Sequence, residues 1–381
     1  MHHLLKHCIC LLSCFISLVG HAKVVDVYFG TAGSGGIQHA NFDTTDGTIT
    51  APTKVAEVNN AGFIAIHPNR QFLYSTATSE LRKGEKGQVA AFKINSDQSL
   101  TLLNKQSSEG ASPCHVSISA NGSTVMVANY NSNASVAAYK VTRSGSLARS
   151  DSIRTHEGSG EHPKRQTSPH PHSISPNPSN NFAYSPDLGT DRVEIYALDA
   201  SKAILTPAGK AEVTGGTKGP RHMKFSKDGK FAYVLNELSM EIATYTANAQ
   251  TGALEYIESV STMEDRSDIE KMNCAEIRVH PNGKFIYNSN RDLLGNGRDA
   301  ISVYSIDEAT GLLTLIQNEP ARVWVPRNFN IEPSGQWLIT GGQKSKNLAI
   351  FKLDSTTGLL EPHGENIAFD GSPTCIEFLQ D

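Results

Sequence analysis

The chain has 381 residues, 34 basic and 38 acidic, for a formal net charge of −4. That balance creates no field to draw in nucleic acid or an anionic membrane surface, so neither is expected as a partner. The length exceeds that of an ordinary single-core domain and 31 residues are glycine, which suits an array that grows by stacking repeats.

Residues 1–22 combine a short basic, His-containing start, the apolar run Cys8 to Gly20, and small residues around Gly20-His21-Ala22. This predicts a secretory signal peptide cut after Ala22, hence a periplasmic or secreted protein whose mature domain is 23–381. The apolar run is short for a membrane span. Leu11-Leu12-Ser13-Cys14 resembles a lipoprotein signal, but with too short an apolar stretch before Cys14. Cys8, Cys10 and Cys14 leave with the leader. Cys114, Cys274 and Cys375 remain, at no metal or redox spacing, and are expected to be buried structural thiols rather than a disulfide framework.

From Ala61 onward one pattern recurs: AGFIAIHPNRQFLYST, then copies starting at Ser112, Ser168, Gly219 (GPRHMKFSKDGKFAYVLNE), Cys274 and Val325, with a truncated copy at Ser372. Each complete copy is an alternating apolar run, a Pro/Asn/Asp/Gly turn and a second alternating run, which is the pattern of a β-hairpin. The residue before each turn is His67, Ser119, Ser175, Ser226, His280 and Glu332, giving steps of 52, 56, 51, 54 and 52. Between hairpins a second signal recurs seven times, at Asp46, Asp97, Ser144, Lys202, Thr251, Thr310 and Thr357, following strands such as VAAYK or LAIFKL. The prediction is an all-β chain: a seven-bladed β-propeller of four-stranded antiparallel blades. SPTCIEFLQD supplies one strand and the mature N-terminus the next, so the two ends are expected to share a blade and remove two exposed edges.

The repeat register locates a site. If the first strand is innermost, Gly62, Cys114, His170, Arg221, Glu276, Arg327 and Thr374 ring one channel mouth. The second strands return Thr78, Tyr130, Leu188, Glu237, Arg291 and Gln343 to the same mouth, with Asn129, Asn236 and Asn290 just before three of them. A salt-bridge belt would tend to repeat one residue type, whereas here seven blades carry six types. Arginine forks bind carboxylate or phosphate, and a nearby His or Glu can act as a base. The catalytic candidates are His170, His172, Arg221, Glu237 and Arg291. The substrate-binding candidates are Arg327, Glu276, Asn236, Asn290 and Gln343. His222 is expected to pack between blades, His67 and His280 to face solvent, and Asp187 and Asp191 to hold loop amides. With no nucleophile elbow, zinc motif or P-loop, neither metal nor cofactor is expected.

SPHPHSISPNP, YSPDLGTDRV, GPRHMKFSKDGKFAYVLNEL, HPNGKFIYNSNR and VPRNFNIEPSGQWL resemble the seven-bladed propeller lactonases, a family that includes bacterial 6-phosphogluconolactonase and the fungal carboxy-muconate lactonizing enzyme. The resemblance implies a site of one His, two Arg and one Glu, falling on His172 or His170, Arg221, Arg291 and Glu237. It implies a monomeric lactonase of the 6-phosphogluconolactonase type acting on a small anionic lactone. Reversible cyclisation of a muconate, or a silent propeller that binds a ligand or protein, are the competing readings.

Overall fold

A computed structural model describes residues 24–78, 86–131, 135–213 and 215–379; the expected leader lies outside the described residues. Seven antiparallel sheets stand in a ring. The innermost strands are Ile64–Ile66, Pro113–Ile118, Ser175–Pro176, Pro220–Phe225, Met272–Val279, Pro326–Ile331 and Ser372–Phe378. Within a blade each strand pairs with the next in sequence, as in Pro220–Phe225, Phe231–Asn236, Glu241–Ala247 and Leu254–Ser261.

The closing blade places the C-terminal strand Ser372–Phe378 innermost, against Val24–Ala32 and then Ile37–Asp43. Its outer edge is split into Thr48–Ile49 and Thr53–Ala56, so this sheet holds five strands rather than four. Pro52 lies in the gap, where it has no N–H to give the ladder.

The two repeated signals bind neighbouring blades together. Tyr74, Tyr184 and Tyr287, in the second strands, donate their hydroxyls to Gly145, Gly252 and Gly358 in the turns of the second signal one blade on, at 3.1, 2.9 and 2.8 Å. His67 and His280 were expected in solvent, but their Nε2 atoms lie 3.0 and 2.8 Å from the carbonyls of Gly122 and Gly335 on the following blades. His280 is buried. Both are latches across the seam, because the turn of the next blade folds over the imidazole.

One register is corrected. Asn177 N to Phe182 O and Asn180 N to Asn177 O, both 2.9 Å, reproduce the bonds made by Ser226 and Gly229, so Asn177 rather than Ser175 precedes the third turn. The third turn thus has the standard length, and its hairpin starts two residues later than the sequence spacing placed it. His172, not His170, is therefore equivalent to Arg221.

Candidate active site

At the rim position the inner strand carries one extra residue: pairing jumps from Pro220 to His222, from Pro326 to Asn328, from Pro113 to His115 and from Pro373 to Cys375. The skipped residues are Arg221, Arg327, Cys114 and Thr374. Such a β-bulge breaks the strict alternation, so two successive side chains turn to the same side. This is why His222, expected between blades, instead faces the channel, with Nε2 3.1 Å from Arg221 Nη1. In the Met272–Val279 strand the same count makes Ala275 the equivalent of Arg221 and drops Glu276 one tier, level with His222.

The channel is thus tiered. The upper cavity is a narrow cleft lined by Gly62, Phe63, Cys114, Arg221, His222, Arg327, Asn328 and Thr374. Its floor is aromatic: Phe63 meets His115 at 4.3 Å between ring centroids, His115 meets His222 at 5.3 Å, and Phe63 meets His222 at 5.8 Å. Below this floor lies a second space lined by Ser117, Ser175, Lys224, Arg278 and Glu377 among others.

Glu237 is the electrostatic hub of the mouth. Arg221 Nε lies 2.9 Å and Arg291 Nη2 3.2 Å from its Oε2, and Arg165 Nη2 lies 2.8 Å from its Oε1. His172 Nε2 is 3.9 Å from Oε2. Burial alone would raise the Glu237 pKa, but Arg291, Arg221 and Arg165 outweigh it and hold the group at about 2. It is a permanently ionised clamp. Gly219 makes the geometry possible: its φ is +68° and a Cβ there would lie 2.6 Å from the Leu238 side chain, while its carbonyl accepts the Glu237 amide at 2.7 Å.

His172 is neutral: burial, then the charge of Arg221, drive its pKa well below the usual histidine value. Its ring meets Tyr130 edge-on at 5.3 Å and its Nδ1 lies 3.9 Å from Cys114 Sγ. His222 is also neutral, its pKa pushed by burial down to about 4. Its Nδ1 is 3.2 Å from Glu276 Oε1, and Asn328 Nδ2 donates to Glu276 Oε2. An unbroken series of contacts thus links Glu276, His222, Arg221 and Glu237. Arg327 stands apart. It is half-buried and makes no hydrogen bond or ion pair among the described residues, and burial lowers its pKa.

Of the candidates, the structure brings His172, Arg221, Glu237, Arg291 and Arg327 together. His170 sits higher, stacked on Tyr130 at 4.6 Å, with Nδ1 2.8 Å from the Tyr130 carbonyl. Glu276 lies in the floor. Asn290 is fully buried behind the rim, donating to Thr262 O at 3.1 Å and Ser302 Oγ at 2.7 Å. Asn236 shares that register position and is likewise fully buried. Gln343 is on the rim, and its side chain makes no hydrogen bond among the described residues. Asp187 and Asp191 do hold loop amides: Asp187 Oδ1 accepts from His170 N and Gly189 N, and Asp191 Oδ1 from Gly219 N.

Sequence reading missed Arg165. It arrives on the long connection before the third hairpin, anchored by Gln166 Nε2 to Leu188 O at 2.8 Å and Asp191 Oδ1 at 2.7 Å. Arg165 lies outside the repeat register, so no repeat position pointed to it. Cys274 and Cys375 are buried free thiols, while Cys114 borders the cavity with its pKa pushed by burial up to about 12.

A family profile described as "Lactonase, 7-bladed beta-propeller" matches residues 24–378. The chain belongs to the seven-bladed β-propeller lactonase family, and the enzyme is a lactonase. It is 34% identical to a 6-phosphogluconolactonase of Formosa agariphila over 90% of this chain and 95% of that one. It is 32% identical to a 6-phosphogluconolactonase of Bacillus subtilis over 92% and 97%. The periplasmic gluconolactonase of Pseudomonas aeruginosa superposes with a TM-score of 0.85 at 26% identity, over 93% of this chain and 99% of that chain. Among the described residues, no helix of this lactonase is long and apolar enough to cross a membrane.

Proposed function

We propose that this lactonase opens the ring of a sugar lactone of the 6-phosphogluconolactone type by general-base attack of water at the upper mouth. The observation that carries the reading is the uncommitted Arg327 guanidinium lining one cavity with Arg221, beside a neutral His172. The lactone carbonyl points between Arg327 and Arg221. His172 takes a proton as the water oxygen bonds to the carbonyl carbon, and the two guanidiniums receive the charge that develops on the carbonyl oxygen. When the intermediate collapses, the bond between carbonyl carbon and ring oxygen breaks and His172 returns the proton to the ring oxygen. The product is the open-chain acid.

Glu237 is unsuited to the base role, since both its oxygens are already engaged by Arg221, Arg291 and Arg165. Its task is to fix Arg221 and Arg291, so that no reorganisation is needed as charge appears.

The nature of the natural lactone divides along a specific line. The names of the two relatives above favour the phosphorylated compound. The leader-like segment at 1–22, together with the likeness to a periplasmic gluconolactonase, favours export and an unphosphorylated aldonolactone. Hydrolysis of 6-phosphogluconolactone and of gluconolactone, with spontaneous opening subtracted, tests both. Arg327→Ala should cut turnover of the accepted lactone roughly 10²-fold or more. An unchanged rate would remove Arg327 from the reaction. Finding the leader intact on the mature protein would remove export.

A further inference from the structure

Beside the mouth, between the last two blades before closure, a separate cavity of about 280 Å³ is lined by Asp299, Arg322, Trp324 and the glycines 295 and 297, among others. Trp324 is 40% exposed, unusual for so large an apolar side chain, yet it is held firmly. Its Nε1 donates to Asp292 O at 2.9 Å and its ring lies over Gly295, where a Cβ would approach the indole to 3.0 Å. Gly295 also has φ +77°, so this loop is shaped to present the indole face. Asp299 is 7% exposed. Its Oδ1 accepts the amides of Asp292 and Val325 at 2.9 and 3.0 Å, whereas its Oδ2 makes no hydrogen bond among the described residues. The carboxylate is thus held in place by Oδ1 while Oδ2, on the cavity wall, is open to accept from a ligand.

This cavity adjoins the catalytic mouth through the backbone. Val325 O accepts from Gln343 N at 3.0 Å and Trp324 O from Lys344 N at 3.1 Å, and Arg327 follows two residues after Val325. A fixed flat aromatic face next to a carboxylate acceptor matches a sugar ring, which offers apolar C–H bonds on one face and hydroxyl donors at its edge. We propose that this cavity is a glycosyl subsite, so that the enzyme accepts lactones of glycosylated aldonic acids, with the lactone ring at Arg327 and the added sugar on Trp324. The proposal rests on the lactonase reading for its substrate, but not for the subsite itself.

The chain contains two tryptophans, and Trp337 is 4% exposed, so a sugar-induced change in emission reports Trp324. Titration of the whole protein with lactobionate, a galactosyl gluconate, should shift tryptophan emission to shorter wavelength and saturate, whereas gluconate should not. In parallel, kcat/KM for lactobionolactone should exceed that for gluconolactone by roughly tenfold or more, one added set of ring contacts. Trp324→Ala should erase that preference, Trp324→Phe should keep most of it, and Asp299→Asn, which preserves the Oδ1 acceptor for the loop, should reduce it. Saturable lactobionate binding without turnover of either lactone would support the subsite and overturn the lactonase reading. Hydrolysis of both lactones at equal efficiency, with no emission shift and no effect of Trp324→Ala, would overturn the subsite and leave the lactonase reading in place.

Discussion

The turn face and the mouth of this propeller are built from the same repeats, yet they treat them differently. At three of the blade seams one solution recurs: a second-strand tyrosine bonded to the glycine carbonyl of the next turn, in Tyr74, Tyr184 and Tyr287. At the rim the equivalent bulge residues are Gly62, Cys114, His172, Arg221, Ala275, Arg327 and Thr374, seven blades with six residue types. Packing between identical units has one best answer, whereas a ligand without sevenfold symmetry needs a different group at each position. Divergence among repeats within one chain therefore marks chemistry, and sameness marks architecture.

The largest effect that tests this contrast is at Arg221. Replacing it by Ala removes a donor to the carbonyl oxygen and also a partner of Glu237, so turnover should fall roughly 10²–10³-fold. The conservative Arg221→Lys keeps the charge but not the fork that spans Glu237, His222 and Ala275, and should recover little. If Arg221→Ala retains full activity, the divergent rim is not the reaction centre.

His172→Ala should come next, costing roughly 10²-fold in kcat with a smaller change in KM. The pH profile sharpens the same point. Because burial and Arg221 hold His172 well below the ordinary histidine pKa, the base stays unprotonated as pH falls through 6.5. The acid limb of kcat/KM should therefore appear only well below that value. A limb centred near 6.5, surviving in His172→Ala, would assign it to another group.

Stability should show the clamp in isolation. Glu237 titrates at about 2 in the folded chain against an ordinary value near 4.5. A depressed folded pKa means the unfolded state binds the proton first as pH falls. The stabilisation is complete above about 5 and is lost as pH falls through the folded pKa. Glu237→Gln leaves three buried or half-buried arginines short of their carboxylate and should cost roughly 3–5 kcal/mol at neutral pH. Urea midpoints of the two proteins should then converge as pH is lowered toward 3.

Legibility in the sequence followed the same division. Blade number, strand order and the shared closing blade could be read because each depends on a feature repeated seven times, so an error in one copy is outvoted. The rim could be read only in part. Arg221, Glu237, Arg291 and Arg327 fell into place because their turns have the standard length. Glu276 was placed one tier too high, and His170 was put in the ring where His172 belongs, because a bulge leaves no trace in the repeat spacing and a strand entry displaced by two residues keeps the same period-two alternation. Arg165 was invisible for another reason: it belongs to no repeat, and its position depends on Gln166 and Asp191 meeting across the loop.

The smallest effect lies at the seams. Tyr287→Phe deletes one hydroxyl that donates 2.8 Å to Gly358 O, while keeping the ring that fills the core. A neutral buried hydrogen bond contributes about 1 kcal/mol net, and the carbonyl left behind adds to the loss. The thermal midpoint should fall by only a few degrees, and kcat should not move, since the seam is far from the cavity in register and shares no partner with it. Tyr74→Phe and Tyr184→Phe should do the same, and combining the three should be nearly additive, because each seam belongs to a different pair of blades. Strong non-additivity, or a loss of turnover from any one of them, would mean that seams and mouth form a single coupled unit, and the division between repeated architecture and divergent chemistry would fail.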